Sequence, residues 1–344
     1  MSFLEQEIHE QPDVIRQLIE AEWSNVQAIR QKIADFNPEF VHIAARGTSD
    51  NAGRYAQYLF GIHAGLPVAL ATPSVHTLYE ASPRLGRALV IGISQSGQSE
   101  DIRRVVEDGR KQGALTVSIT NDAQSPMAQA SEYHIPLHAG TEKAVAATKS
   151  YTAQLTAVSM LGAALNGSTE MIAELQKLPD YANRTLKLSD GIRGWAERYR
   201  YMERLVTLGR GYNYCTAFEV GLKIKELCYV VGQEFSEADF RHGPIAVIQP
   251  GFPVITVAMS GKALLVILDL LHKLGERQAE CLVISNDDSA LGMGHKAMRV
   301  PELPEWLSPI VGVIPGQVFA MSLAAAKGYD LDQPRGLTKV TYTI

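Results

Sequence analysis

Ala88-Leu89-Val90-Ile91-Gly92-Ile93-Ser94-Gln95-Ser96-Gly97-Gln98-Ser99 is the stretch on which the fold turns. Six apolar residues in a row, ended by small polar ones, read as a strand buried on both faces. After the turn, Ile102, Val105 and Val106 recur at helical steps. Strand, polar turn and helix in that order predict an α/β unit. Working outward, Phe40-Val41-His42-Ile43-Ala44-Ala45 repeats the pattern, ends in Arg46-Gly47-Thr48-Ser49-Asp50-Asn51 and runs into a helix through Tyr55, Tyr58 and Leu59. Val68-Ala69-Leu70 and Leu115-Thr116-Val117-Ser118-Ile119 supply further strands. The expectation is a parallel sheet with helices on both faces.

The plan occurs twice. Arg204-Leu205-Val206-Thr207-Leu208-Gly209-Arg210-Gly211 repeats the first strand and its Arg-Gly turn. Val254 to Gly261 repeats the Ser/Gly-ended strand, and Ile284-Ser285-Asn286-Asp287 repeats Ile119-Thr120-Asn121-Asp122. Gly47 and Gly211 are 164 residues apart, Asn121 and Asn286 165. Two independent anchors with nearly one offset indicate duplication. The expected organisation is an N-terminal helical segment (1–36), a first α/β domain (37–167), a helical linker (168–198), a second α/β domain (199–330) and a tail (331–344). Pro12 is read as the start of a helix over 13–35.

Composition narrows the function. Of 344 residues, 46% are hydrophobic and 20% charged, which suits a globular protein. Lys and Arg number 32 against 37 Asp and Glu; the net charge of −5 lacks the footprint of a nucleic-acid binder. Any anion must therefore meet a local site. Three scattered cysteines, Cys215, Cys228 and Cys281, fit neither a disulfide framework nor a zinc site. The acidic N-terminus lacks a signal-peptide pattern. No apolar run is expected to cross a membrane, and the stretch near 153–165 reads as a buried helix. A cytoplasmic location is expected.

Ser94, Gln95, Ser96, Gly97 and Ser99 lie where a strand hands over to a helix. A helix N-terminus offers unpaired amides and partial positive charge. Hydroxyls add donors, and glycine lets the backbone approach a ligand, so the turn is a candidate phosphate cradle. Thr48 and Ser49 occupy the equivalent place after the first strand. Helix capping alone accounts for one such turn; two at the strand ends of one sheet favour a ligand. No Walker lysine and no dinucleotide glycine pattern is present, so a nucleotide is disfavoured.

In the second half, 216–231 reads as a helix with Glu219, Lys223 and Glu226 on one face. Glu237 to Pro244 reads as a polar loop carrying His242. Glu226 and His242 are residue types suited to moving protons in a sugar isomerisation. Each also has a plainer reading: Thr216 with Glu219 as a capping box, Glu219 with Lys223 as a surface ion pair, Glu226 as part of a solvated face, His242 as a loop histidine, and Lys339 as part of a solvated tail.

Six motifs in order carry a family resemblance: Arg46-Gly47-Thr48-Ser49, Ser94-Gln95-Ser96-Gly97, Gly140-Thr141-Glu142-Lys143-Ala144-Val145-Ala146-Ala147-Thr148-Lys149, Lys223-Ile224-Lys225-Glu226, Arg241-His242-Gly243-Pro244 and Asp332-Gln333-Pro334-Arg335-Gly336-Leu337-Thr338-Lys339. Together they resemble the sugar isomerase (SIS) domain family. They are similar in particular to the isomerase half of the glucosamine-6-phosphate synthases (glutamine–fructose-6-phosphate aminotransferases) and to the SIS-type glucosamine-6-phosphate deaminases. The resemblance implies two duplicated SIS domains, each a flavodoxin- or Rossmann-like three-layer sandwich.

It also implies roles. Ser94, Gln95, Ser96 and Ser99 would bind the sugar phosphate, and Thr48, Val145 and Thr338 would line the sugar site. Ser99 stands where the synthases usually have threonine, Ala147 where they have serine, and Arg46 where they have cysteine, the last being more like the deaminases. Glu226 would shuttle a proton between C1 and C2, and His242 would assist ring opening, in relatives sometimes from a neighbouring subunit. Lys339 would form a Schiff base with the open ketose; Lys223, Glu219 and Gly47 would support the site. Expected partners are a hexose or aminosugar phosphate and a second copy in a homodimer, with no nucleic acid and no membrane; no metal or organic cofactor is expected. Glu7 to Pro12 resembles the point where the synthases' isomerase half begins after their glutaminase domain, so this sequence is expected not to take ammonia from glutamine. Amination of fructose 6-phosphate with free ammonia (an ammonia-dependent or truncated synthase), action on a different amino or glycated sugar phosphate, and sugar-phosphate binding without chemistry, as in a regulator, are the alternative functions.

Overall fold

The computed structural model describes residues 1–339. Its ten strands are β1 (Phe40–Ala44), β2 (Val68–Leu70), β3 (Ala88–Ile93), β4 (Leu115–Thr120), β5 (Tyr133–Pro136), β6 (Arg204–Gly209), β7 (Val231–Ser236), β8 (Pro253–Val257), β9 (Glu280–Ser285) and β10 (Lys296–Arg299). They form two five-stranded sheets, ordered β2-β1-β3-β4-β5 and β10-β9-β8-β6-β7. Every pairing is parallel. Each sheet therefore has the same doubly wound order, 2-1-3-4-5, and the duplication seen in the sequence is a duplication of topology.

The chain divides into two compact units. Of the described residues, the first-sheet unit comprises Asp13–Glu142, Lys149–Leu178 and 338–339; the second-sheet unit comprises Met1–Pro12, Lys143–Thr148 and Pro179–Leu337. In the first-sheet unit, every residue of β3 and β4 is buried. Alternate side chains explain this. Val90 and Ala88 pack with Ile102, Val105 and Val106 of the helix Glu100–Lys111, while Ile43 faces the helix Thr48–His63 on the other side of the sheet. Fully burying such a side chain contributes about 1.5–3 kcal/mol, so two covered faces require the continuous apolar runs that mark these strands. In the second-sheet unit Val206, Leu208, Val254 and Val283 pack with Phe240, Leu270, Leu271 and Leu274.

Four readings change. The first helix runs Phe3–Phe36, with Pro12 inside it. Proline lacks the N–H that would bond the carbonyl four residues back; here the Gln11 side-chain amide donates to that carbonyl, Ile8 O, at 2.8 Å. Residues Val231–Ser236, assigned partly to a helix, form an edge strand, and Glu237–Arg241 is one helical turn rather than loop. The helix carrying Glu226 begins at Tyr214, so Thr216 lies inside it, buried, and no capping box involves Glu219. Finally, Ser308–Lys327 belongs to a segment long and apolar enough to cross a membrane by length and composition. It is buried inside its unit and packs on the helix Tyr214–Cys228, as a core helix does. The three cysteines are buried and unbridged.

Candidate functional site

The sheet order of the first-sheet unit places a switch point between β1 and β3, where successive connections depart in opposite directions. Ligands of open α/β sheets bind in the crevice outside the carboxyl ends of such strands. Ala44 pairs with Gly92, so the turn after β1 (Ala45 to Gly47) and the turn after β3 (Ser94 to Ser99) leave adjacent strands at that edge.

The second of these turns is built around Gly97. Ser94 Oγ accepts the Gly97 N–H at 3.0 Å, and Ser96 Oγ accepts the Gln98 N–H at 3.3 Å. The carbonyls of Gln95 and Gly97 accept the N–H groups of Asn121 and Met127, tying the turn to the elements below. Gly97 has φ 65°, and a Cβ there would lie 2.3 Å from Ser125 Oγ. Only glycine meets both demands. Ser99 stands at the N-cap position of the helix Glu100–Lys111, yet its hydroxyl makes no capping bond to that helix. Thr48 is the first residue of the next helix and half-buried, and Gly47 at φ 52° is its cap position. Capping therefore does not account for the Ser99 hydroxyl. Ser49 is buried and accepts a 3.0 Å bond from Gln154 Nε2.

Lys339 belongs to the same unit as this cradle. Its Nζ lies 2.8 Å from Glu142 Oε2, and its side chain is 24% exposed, against 0% for Glu142. The same carboxylate accepts bonds from the Ser150 N–H at 3.1 Å and Ser150 Oγ at 2.6 Å, at the start of the helix Lys149–Asn166. Glu142 is thus a fixed acceptor that positions an amine. It stands in a quoted motif, but its partner is 197 residues away and no local signal joins the two. Thr338 is exposed. Residues 340–344 of the predicted tail lie outside the described residues.

The second-sheet unit holds the acidic constellation. On the helix Tyr214–Cys228, Lys223 Nζ lies 2.5 Å from Glu226 Oε2 and 3.4 Å from Glu219 Oε1. Lys223 and Glu219 are almost wholly buried, and Glu226 keeps 22% exposure. The face that spacing assigned to one side of the helix is therefore an interior face. A buried ammonium between two carboxylates holds the outer one, Glu226, in one orientation while leaving it open to a reactant. His242 follows the turn Glu237–Arg241, with its side chain exposed. Arg241 beside it is anchored by Glu237, by Asp269 at 2.7 Å and by the Val266 carbonyl at 2.9 Å. Gly243 takes φ 124°, a conformation that side chains disfavour. Val145 is half-buried in this unit, its N–H donating to Asp332 O at 3.0 Å. Asp332 in turn accepts the N–H groups of Phe3 and Leu4 at the start of the first helix.

The second copy's own switch-point turn is not a second cradle. After β8, the Lys262 N–H donates to Glu305 Oε2 at 2.9 Å and the Ser260 N–H to Asn286 Oδ1 at 2.8 Å. The amides that would receive an anion are already satisfied by side chains of the protein.

The isomerizing glutamine–fructose-6-phosphate aminotransferase of Aquifex aeolicus is 34% identical over 340 residues, 98% of this chain and 57% of the relative; the chain thus spans little more than half of that protein. The C-terminal domain of glucosamine-fructose-6-phosphate aminotransferase from Francisella tularensis superimposes with a TM-score of 0.86 at 26% identity, covering 97% of this chain and 98% of that one. Glucosamine-6-phosphate deaminase from Thermotoga maritima shares the fold, with a TM-score of 0.83 at 21% identity over 99% and 100% of the two chains. The SIS domain family model matches twice, over residues 38–164 and 199–327, once on each sheet, and the chain belongs to the SIS domain family.

Proposed function

We propose that this chain is an aldose–ketose isomerase of aminosugar phosphates that converts glucosamine 6-phosphate to fructose 6-phosphate and ammonia. The observation that carries the proposal is the Lys339–Glu142 pair in the unit that also holds the Ser94–Ser99 cradle: an anchored amine and a phosphate-receptive turn in one compact body. The relatives' names, which join fructose 6-phosphate to amination and isomerisation, support the substrate class.

In this reading the cradle and Thr48 hold the phosphate and sugar, and His242 moves the proton that opens the ring. Glu226 removes the proton at C2 of the open aldehyde and returns it at C1, leaving an imine at C2. The Lys339 amine adds to that carbon and ammonia departs; water then hydrolyses the lysine imine and fructose 6-phosphate is released. Glu142, one hydrogen bond from Nζ, is placed to take the proton that the amine must lose before it attacks. Val145 and Thr338 line the sugar in the same reading.

A second reading runs the same steps backwards, with free ammonia aminating fructose 6-phosphate; the 34% identity to the Aquifex aeolicus aminotransferase favours it. Incubating the purified chain with glucosamine 6-phosphate, and separately with fructose 6-phosphate plus ammonium, and assaying ammonia, ketose and aminosugar decides between them. Ammonia and ketose from the first incubation are expected. Ligand-induced thermal stabilisation with no turnover in either direction would replace the enzyme by a sugar-phosphate-binding protein.

A further inference from the structure

Arg46 lies in the turn after β1, the neighbour of the strand that leads into the Ser94–Ser99 turn, and is held by a buried acid. Its Nε and Nη2 lie 2.9 and 2.8 Å from Asp101 Oδ2. Asp101 has no exposed surface, and its other oxygen accepts the Ile102 N–H at 2.9 Å, so the carboxylate cannot swing. The Arg46 side chain remains 49% exposed. The pair bridges the two turns of the switch point: Arg46 comes two residues after β1, and Asp101 lies in the first turn of the helix that Ser99 begins.

From this geometry we infer that Arg46 is a direct ligand of the substrate's phosphate, an inference that rests on the phosphosugar reading above. A guanidinium has five N–H donors in a rigid fork. Asp101 takes one side of the fork, through Nε and Nη2, and fixes its plane; the guanidinium stays half-exposed, on the turn that leaves β1 next to the strand from which the Ser94–Ser99 turn departs. The charge argument agrees. Asp101 is an acid at a helix start that would otherwise receive an anion, and Asp50 occupies the first turn of the neighbouring helix. Burial raises the Asp50 carboxyl, while the charges of Arg54 and Arg46 draw it back down. Without Arg46, a phosphate dianion would face Asp101 uncompensated; with it, the anion meets a charge-assisted donor, and such bonds are about twice as strong as neutral ones.

The test uses the full chain and four probes: glucosamine 6-phosphate, fructose 6-phosphate, inorganic phosphate and unphosphorylated glucosamine. Calorimetric titration should show that R46Q weakens binding of the three phosphate-bearing probes about 10-fold or more and leaves glucosamine unaffected, with R46K intermediate. Folding of each variant is checked by its thermal transition: R46Q leaves the buried Asp101 carboxylate without its charged partner and should lower that transition, so binding is compared at a temperature where every variant is folded. The double variant R46Q/D101N separates direct contact from charge cancellation. It should stay as weak as R46Q, and recovery to wild-type affinity would show that Arg46 only neutralises Asp101 and overturn the inference. Wild-type binding of the sugar phosphates with R46Q unchanged would overturn this inference alone. A wild-type chain that binds none of the phosphate-bearing probes would overturn the phosphosugar reading together with it.

Discussion

Lys339 Nζ and Glu142 Oε2 lie 2.8 Å apart across 197 residues of sequence. Near a terminus a lysine is ordinarily solvated. Here it is drawn to a carboxylate that has no exposed surface and is already bonded to Ser150, so its amine has a defined position. Reduction with borohydride in the presence of fructose 6-phosphate should therefore attach the sugar to Lys339, detectable by peptide mass. K339A should abolish both the adduct and turnover while retaining phosphate-ligand binding. E142A, which leaves the amine unanchored, should lower kcat by about 100-fold, within the range for a lost proton-transfer partner. Deleting 338–344 should match K339A; full activity after that deletion would exclude the lysine from the chemistry.

Gly97 offers a test of the cradle that does not touch the chemistry. At φ 65° an alanine costs about 1 kcal/mol, and its Cβ would meet Ser125 Oγ at 2.3 Å. The turn must open to admit it. G97A is expected to lose about 1–3 kcal/mol of stability and to bind hexose 6-phosphates at least 10-fold more weakly. Thermal unfolding and ligand titration of the same sample measure both; unaltered affinity would argue that the phosphate sits elsewhere.

How far these features could be read from the sequence depended on burial. Ala88–Ile93 was legible to the residue because both faces are covered and every position must be apolar. The edge strands Tyr133–Pro136, Val231–Ser236 and Lys296–Arg299 were not, since each is short, partly exposed and interrupted by polar residues without a regular period. Spacing placed Glu219, Lys223 and Glu226 on one face; nothing local says whether that face is inside, and the plainer reading of a surface pair does not survive their burial. Arg46 and Asp101, like Lys339 and Glu142, meet only through the tertiary fold, and a pair separated by 55 residues has no signature in a single sequence.

Lys223 separates structural from chemical roles on one helix. Its ammonium is 1% exposed, and Glu219 is fully buried beside it. K223M removes the ammonium beside that buried carboxylate and should cost about 3–5 kcal/mol, the range for breaking a buried pair. Glu226, at 22% exposure, is the member that can reach solvent or substrate. E226Q should change stability by about 1 kcal/mol or less and yet lower kcat by about 100-fold or more. Urea unfolding beside steady-state kinetics distinguishes the two. Equal stability losses in both variants, with activity retained in E226Q, would make the whole triad structural.

His42 lies on β1, 8% exposed, and its Nε2 meets no hydrogen-bond partner among the described residues. Burial, with a smaller contribution from the charge of His76, lowers its pKa from 6.5 to about 4; His76 itself pairs through Nδ1 with Asp108 at 3.0 Å. The unfolded chain thus takes up a proton near pH 6.5 that the native chain refuses until about pH 4. Between those values the unfolded state binds more protons, so stability falls as the pH falls, and above pH 6.5 this group contributes no pH dependence. The loss from His42 alone is about 2 kcal/mol by pH 5. Burial likewise lowers the pKa values of His63 and His134, which add in the same direction. H42L should therefore behave like the wild type in its pH dependence above pH 7 and lose about 2 kcal/mol less between pH 6.5 and pH 5, as read from urea midpoints across that range. Parallel stability curves for the two proteins would show that His42 takes up its proton as readily in the native fold as in the unfolded chain.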